Sequence, residues 1–173
     1  PRPQSLAPGE VIINDFLAED LQTQVGDTIR YGYHLVGSHG ELPEKEGTAI
    51  VRGIVKLTGP AADQGLTPRV KGITDAESLS DWDQPFPMKL DDVTPRDDEY
   101  WDSHRATPKV FFGLKDAQTL WPSRYGSLTS IRVAIPQGLS PSDAAEQFAT
   151  ALLAELQPAE VGLALQAVKA DGL

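Results

Sequence analysis

Cysteine is absent from all 173 residues. That excludes a disulfide framework, a thiol nucleophile and any cysteine-ligated metal, though it does not fix the compartment. Long apolar runs are also missing, so no segment can cross a bilayer as a helix, which takes about 18 or more apolar residues. The stretch Pro1-Arg2-Pro3-Gln4 lacks the apolar core of a signal peptide. Basic charge is scarce, with 15 Lys and Arg against 25 Asp and Glu and a net charge of -10, at a pI of about 4.6. Phosphate backbones would be repelled, which excludes nucleic acid, and anionic lipid headgroups would be poor partners. Neither G-x-x-x-x-G-K-[ST] nor G-x-G-x-x-G occurs, so a P-loop ATPase cannot reside here. No G-x-S-x-G nucleophile elbow occurs, and no repeat of fixed period is evident.

What is present suffices for one core, with 40% of the residues apolar. The organising stretch runs from Glu10 to Leu57. Val11-Ile12-Ile13 is a β-branched run that suits a strand buried on both sides. Asn14 can cap a helix from Asp15 to about Gln22, with Asp15 favouring its N-terminus and Leu17, Ala18 and Leu21 forming its apolar stripe. Gly26-Asp27 reads as a tight turn into a strand over Thr28–Leu35, where Ile29, Tyr31, Tyr33 and Leu35 alternate with more polar residues. Gly37-Ser38-His39-Gly40 turns the chain into a central strand over Thr48–Leu57. Ala49, Val51, Gly53, Val55 and Leu57 form one face of it, and Ile50 and Ile54 make the other partly apolar.

A second block lies downstream. Lys109–Phe112 predicts a short strand. Leu114, Ala117, Leu120 and Trp121 follow at helical spacing, and Ser127–Val133 predicts another strand. Ser140-Pro141-Ser142-Asp143 supplies an N-cap, a proline at the first helical position and a weak capping box. The helix it opens carries Ala144, Ala145, Phe148, Ala151, Leu152 and Leu156 as a stripe expected to be buried. Pro158 stops it, and Val161, Leu163, Leu165 and Ala167 predict a last strand.

Between the blocks, residues 58–106 carry most of the charge. From Asp75 to Asp102, the acids Asp75, Glu77, Asp81, Asp83, Asp91, Asp92, Asp97, Asp98, Glu99 and Asp102 stand against only Lys89 and Arg96. Trp82, Phe86, Tyr100 and Trp101 argue against plain disorder. The expectation is an ordered, irregular excursion pinned by its aromatics and stiffened by Pro85, Pro87 and Pro95.

Chemical candidates are few. His34, His39 and His104 lack the close spacing of a metal site and read as strand or surface histidines. Asp81-Trp82-Asp83 and Asp91-Asp92 offer oxygen ligands for calcium but do not extend into an EF-hand loop, so a solvated acidic face is the plainer reading. Acidic residues beside Trp82, Tyr100 and Trp101 could also serve glycoside chemistry or sugar stacking. No catalytic, cofactor-binding or metal residue is assigned.

One ordered series carries a resemblance: Asn14 with Leu17-Ala18, then Val25-Gly26-Asp27-Thr28-Ile29, then Val51-Arg52-Gly53-Ile54-Val55, and later Val110-Phe111-Phe112-Gly113-Leu114 before a short helix. It resembles the MacB-like periplasmic core domain of FtsX-like ABC transporter permeases. The runs Trp82–Pro87 (W-D-Q-P-F-P) and Asp97–Asp102 (D-D-E-Y-W-D) look like a subgroup of large members. The resemblance implies an α/β (α+β) fold, a mixed sheet with a few packed helices, spanning 1–173 as a single domain. Its core would be 9–57 and 107–170, with an acidic insertion at about 58–106. It further implies a non-catalytic extracytoplasmic domain of a cell-membrane protein, with chain ends leading toward its own transmembrane helices. A separate cytoplasmic ABC ATPase would be its partner, and a second permease copy or an envelope protein would be further candidates. The alternative is a secreted saccharide- or calcium-binding module, or a hydrolase, built on the acidic-aromatic segment.

Overall fold

The structure is a computed structural model and describes residues 5–37, 39, 41–77, 93–122 and 126–157. The chain divides into two compact units, 1–130 and 131–173.

The first unit is built on a four-stranded mixed sheet with packed helices. Strand β1 is Glu10–Asn14, helix α1 Asp15–Asp20, β2 Thr28–His34, β3 Glu44–Val55, α2 Pro95–His104, β4 Val110–Phe112 and α3 Leu114–Leu120. Two short 3-10 turns, Gly59–Ala62 and Gln64–Leu66, follow β3. The sheet order is β2-β3-β1-β4. Strand β1 runs parallel to β3 and antiparallel to β4, while β2 and β3 form an antiparallel pair. The α/β (α+β) mixed sheet expected from the periodicities is therefore the observed one.

The β-branched run behaves as its composition requires. Val11 and Ile13 are fully buried, and Val51 across the parallel pair is fully buried too. Ala18, Ile29 and Ala49 complete the core, with Leu17, Tyr31, Val110 and Phe112 packed around it. Burying three such branched side chains contributes about 1.5–3 kcal/mol each.

Several boundaries differ from expectation for local reasons. Helix α1 stops at Asp20 rather than Gln22, because Gln22 takes φ of 51° and Thr23 N–H turns back to the Ala18 carbonyl at 3.0 Å. Leu21, expected in the apolar stripe, is left 48% exposed. Strand β3 begins at Glu44, before the expected Thr48, because the hairpin pairs His34 with Glu44. It ends at Val55, before Leu57. It is an interior strand as expected, but Ile50 and Ile54 face outward as exposed residues.

The described part of the excursion is less irregular than its composition implied. Residues 95–104 form a helix whose carboxylate Asp97 accepts from both the Thr94 backbone N–H at 3.1 Å and the Thr94 hydroxyl at 2.8 Å, with Pro95 in the first turn. The signal was legible as Thr94-Pro95-x-Asp97, a threonine cap followed by proline and an acid. Asp81, Trp82, Asp83, Pro85, Phe86, Pro87, Asp91 and Asp92 lie outside the described residues, as do Val161–Ala167 and both chain ends.

Ser127–Val133 is not a strand. It satisfies the two-residue period but finds no ladder among the described residues, and Ile131 and Val133 are exposed. In the second unit α4 spans Pro141–Glu155, opened by the Ser140 hydroxyl accepting from Asp143 N–H at 3.1 Å. The expected burial of its stripe is not found. Phe148 and Leu152 are 47% and 45% exposed. The residues between Ile131 and Phe148 leave an apolar groove of about 490 Å³.

Candidate functional site

The motif blocks of the sequence converge on one another. Gly26 takes φ of 102°, a conformation that glycine adopts without a Cβ penalty. Its N–H donates to the Val51 carbonyl at 2.8 Å, and Val51 N–H donates to the Asp27 carbonyl at 2.9 Å. The Val-Gly-Asp turn is thereby stitched to the Val-x-Gly-Ile strand. Asn14 sits on the same strand layer, fully buried, with its Oδ1 accepting from Leu17 N–H at 2.8 Å as the cap of α1.

Asn14 has a second task that its sequence position does not announce. Its Nδ2 donates to the Tyr100 hydroxyl at 3.0 Å, and that hydroxyl donates to the Thr107 carbonyl at 2.8 Å. The helix from the acidic segment is thus bound to the central motif through buried polar groups, whose partners cannot be removed cheaply. Burial raises the Tyr100 hydroxyl above its ordinary range; the Asn14 bond opposes this and the charge of Asp15 adds to it.

Around this node the aromatics act as anchors, as expected for Tyr100 and Trp101, both buried. Phe16 packs on Tyr100 with ring centroids 4.6 Å apart. Arg96 lies over Phe16 at 4.5 Å and pairs with Glu19 at 3.0 Å and Asp20 at 3.4 Å. Lys109 stands over the Phe16 and Tyr100 rings at 4.8 and 4.7 Å and bonds Asp97 at 2.9 Å. Burial works against the Asp97 carboxylate, yet the Lys109 and Thr94 hydrogen bonds outweigh it and hold the carboxyl below its usual range. Lys109 was legible only as a strand residue; its ammonium gains meaning from rings that are distant in sequence.

The histidines stay apart. His34 bonds the Leu42 carbonyl through Nδ1 at 3.2 Å, His39 donates its backbone N–H to Glu41 at 2.9 Å, and His104 stacks near Tyr100 at 5.1 Å. No group of three or more His, Asp or Glu residues that could hold a metal occurs among the described residues. No helix among them is long and apolar enough to cross a membrane.

Besides a cavity of about 250 Å³ at Phe16, Arg96 and Tyr100, two others lie in this unit. One, of about 710 Å³, lies where Arg69, Lys71, Asp75, Glu77 and Arg105 converge. Arg105 holds it together from φ of 52°, its guanidinium donating to the Ala76 and Glu77 carbonyls at 3.3 and 3.1 Å. The other, of about 210 Å³, lies between Tyr31, Phe112 and α3. Asp116 in its wall accepts from Gly9 N–H at 2.8 Å.

No protein-family model matches this chain, and no curated protein or solved structure is found to be similar to it.

Proposed function

We propose that this chain is the non-catalytic extracytoplasmic domain of an FtsX-like ABC transporter permease, transmitting motion or engaging cargo while a separate cytoplasmic subunit hydrolyses ATP. The observation that carries this reading is the convergence of the separated motif blocks. Asn14, Gly26-Asp27 and Val51 lie on adjoining strands and turns, and the last two blocks are joined by reciprocal backbone bonds. Turn chemistry alone accounts for a Val-Gly-Asp-Thr run before a strand, but not for its pairing with the Val-x-Gly-Ile strand beside a capped helix.

A domain that relays movement must hold its shape while its supports move. The sheet, α1 and α2 are tied by the Asn14–Tyr100 bond, the Lys109–Asp97 pair and the Arg96–Phe16 stack, so a displacement applied to one reaches the others. Cargo contact would fall to the open surfaces of the unit, such as the cleft of about 710 Å³ at Arg69, Lys71 and Arg105.

The test uses the native, untruncated protein isolated from its source cells. The expected result is a chain that needs detergent for extraction and has an intact mass several times 18.7 kDa. A soluble chain near that mass removes the reading and returns attention to the acidic-aromatic segment.

A further inference from the structure

The cavity beside Tyr31 and Phe112 has walls of unusual chemistry for a gap beside a core. The rings of Tyr31 and Phe112 meet edge to face, centroids 5.1 Å apart at 75°. Each is buttressed from behind. Tyr33 lies 5.9 Å from Tyr31, and Trp121 lies 5.5 Å from Tyr33 and 5.7 Å from Phe112 at 87°. The small residues Gly9 and Ala49 complete the strand side and leave the space of about 210 Å³ open. Across the hairpin the Tyr31 ring lies against Gly47, where an added Cβ would come within 2.5 Å of it.

From α3 a carboxylate, Asp116, enters this apolar frame. It is half-buried and makes no ion pair among the described residues; its Oδ2 accepts only the Gly9 N–H. Burial first, then Tyr33, then the Asp116 charge raise the Tyr31 hydroxyl above its ordinary range. A filler for a purely structural gap would be apolar. A carboxylate without a counter-ion in a cavity walled by aromatic side chains fits a cation whose surface is itself partly apolar, since ring faces attract cations and carbon-rich ammonium groups lose little hydration on entry. The chain's net charge of -10 adds long-range attraction of the same sign.

We propose that this pocket binds a small alkylated ammonium group, seated beside the Tyr31–Phe112 ring pair with Asp116 as its counter-ion. A cavity of this size admits a trimethylammonium head but not a drug-sized ligand, for which about 300 Å³ or more is usual. The proposal stands independently of the permease reading, since it concerns only residues of this unit.

The full 173-residue chain is titrated calorimetrically with choline chloride and with its neutral isostere, in which a tert-butyl group replaces the trimethylammonium. The choline head could arrive free or on a lipid, so flotation with phosphatidylcholine vesicles, and with phosphatidylglycerol vesicles as control, separates the two sources. Asp116→Asn keeps an oxygen to accept the Gly9 N–H and removes only the charge. Phe112→Leu removes a ring face, and circular dichroism checks that both variants fold.

The expected result is saturable choline binding, about tenfold or more tighter than the isostere and weakened about tenfold or more by either substitution. Flotation with phosphatidylcholine alone, lost in Asp116→Asn, supports the headgroup as the source. Absence of saturation together with absence of flotation overturns the proposal. Equal affinity for the neutral isostere, or choline binding indifferent to both substitutions, overturns it as well.

Discussion

The side-chain amide of Asn14 and the hydroxyl of Tyr100, 86 positions apart in the chain, form a buried hydrogen bond of 3.0 Å. One residue caps α1 and the other belongs to a helix within the acidic segment, so the most charged part of the sequence is fastened to its least polar part.

Removing that bond has an unequal cost on its two sides. Tyr100→Phe leaves the Thr107 carbonyl without its donor and is expected to lower stability by about 1–2 kcal/mol. Asn14→Ala also removes the cap on Leu17 N–H and is expected to cost about 2–4 kcal/mol. Urea unfolding of the two variants and their double mutant is the check. A coupling energy near zero would show that the contact contributes nothing.

Asp97 sets an acid-side pH dependence. Its folded-state carboxyl lies below the ordinary value, chiefly because the Lys109 and Thr94 hydrogen bonds outweigh burial. The stability it contributes is therefore full above the unfolded value of about 3.9 and lost as pH falls through the lower folded one. Asp97→Asn is expected to be about 1 kcal/mol less stable than wild type at neutral pH, the gap closing as pH falls below about 4. A gap constant with pH would remove the Asp97 charge from the account.

Tyr100 sets the alkaline side. Its hydroxyl is raised above the ordinary value, first by burial. The neutral form is the one the fold accommodates, so this contribution is full below the unfolded value of about 10 and lost as pH rises through the higher folded one. The stability advantage of wild type over Tyr100→Phe is expected to shrink over that window. An advantage that grows there would invert the assignment.

Two glycines on β3 should respond in opposite ways. Gly47 lies opposite Tyr31 in register, and an added Cβ would come within 2.5 Å of the ring. Gly47→Ala is expected to cost about 1–3 kcal/mol by displacing that ring from Phe112. At Gly53 the nearest atom to an added Cβ is Ile12 Cγ1 at 3.8 Å, ordinary contact distance. Gly53→Ala is expected to be neutral or stabilising by up to about 1 kcal/mol, since glycine weakens a strand interior. Thermal unfolding of both variants is the measurement; equal losses would contradict the difference in space.

Much of the first unit was legible because its signals are local. The two-residue period of Ile29, Tyr31 and Tyr33, the β-branched run Val11–Ile13 and the Asn14 cap all act within a few residues, and each appears where the pattern put it. The same kind of pattern failed at Ser127–Val133, since alternation gives a segment a face but not a neighbour to pair with. It failed again on α4, where a stripe of Phe148, Leu152 and Leu156 is a demand for burial that its own sequence cannot meet.

The candidate sites were the least legible part. Histidines and acids drew notice for their chemistry, yet the structure separates His34, His39 and His104 and pairs Asp97 with a lysine. Asp116 and Tyr31 drew none as a pair, because a separation of 85 positions hides a proximity that exists only after β2, β3, β1 and β4 assemble in that order.

Composition and spacing alone were enough to establish an acidic chain without cysteine, without phosphate loops, and with a strand-helix-turn-hairpin stretch at its centre. Those properties depend on residue identity and on contacts a few positions long. Tertiary structure decided which strands pair, that Asn14 reaches Tyr100, and that the Asp116 carboxylate shares a cavity with Tyr31 and Phe112. Each of these is a long-range closure, whose entropic cost is met by burial of the whole sheet face rather than by any residue taken singly.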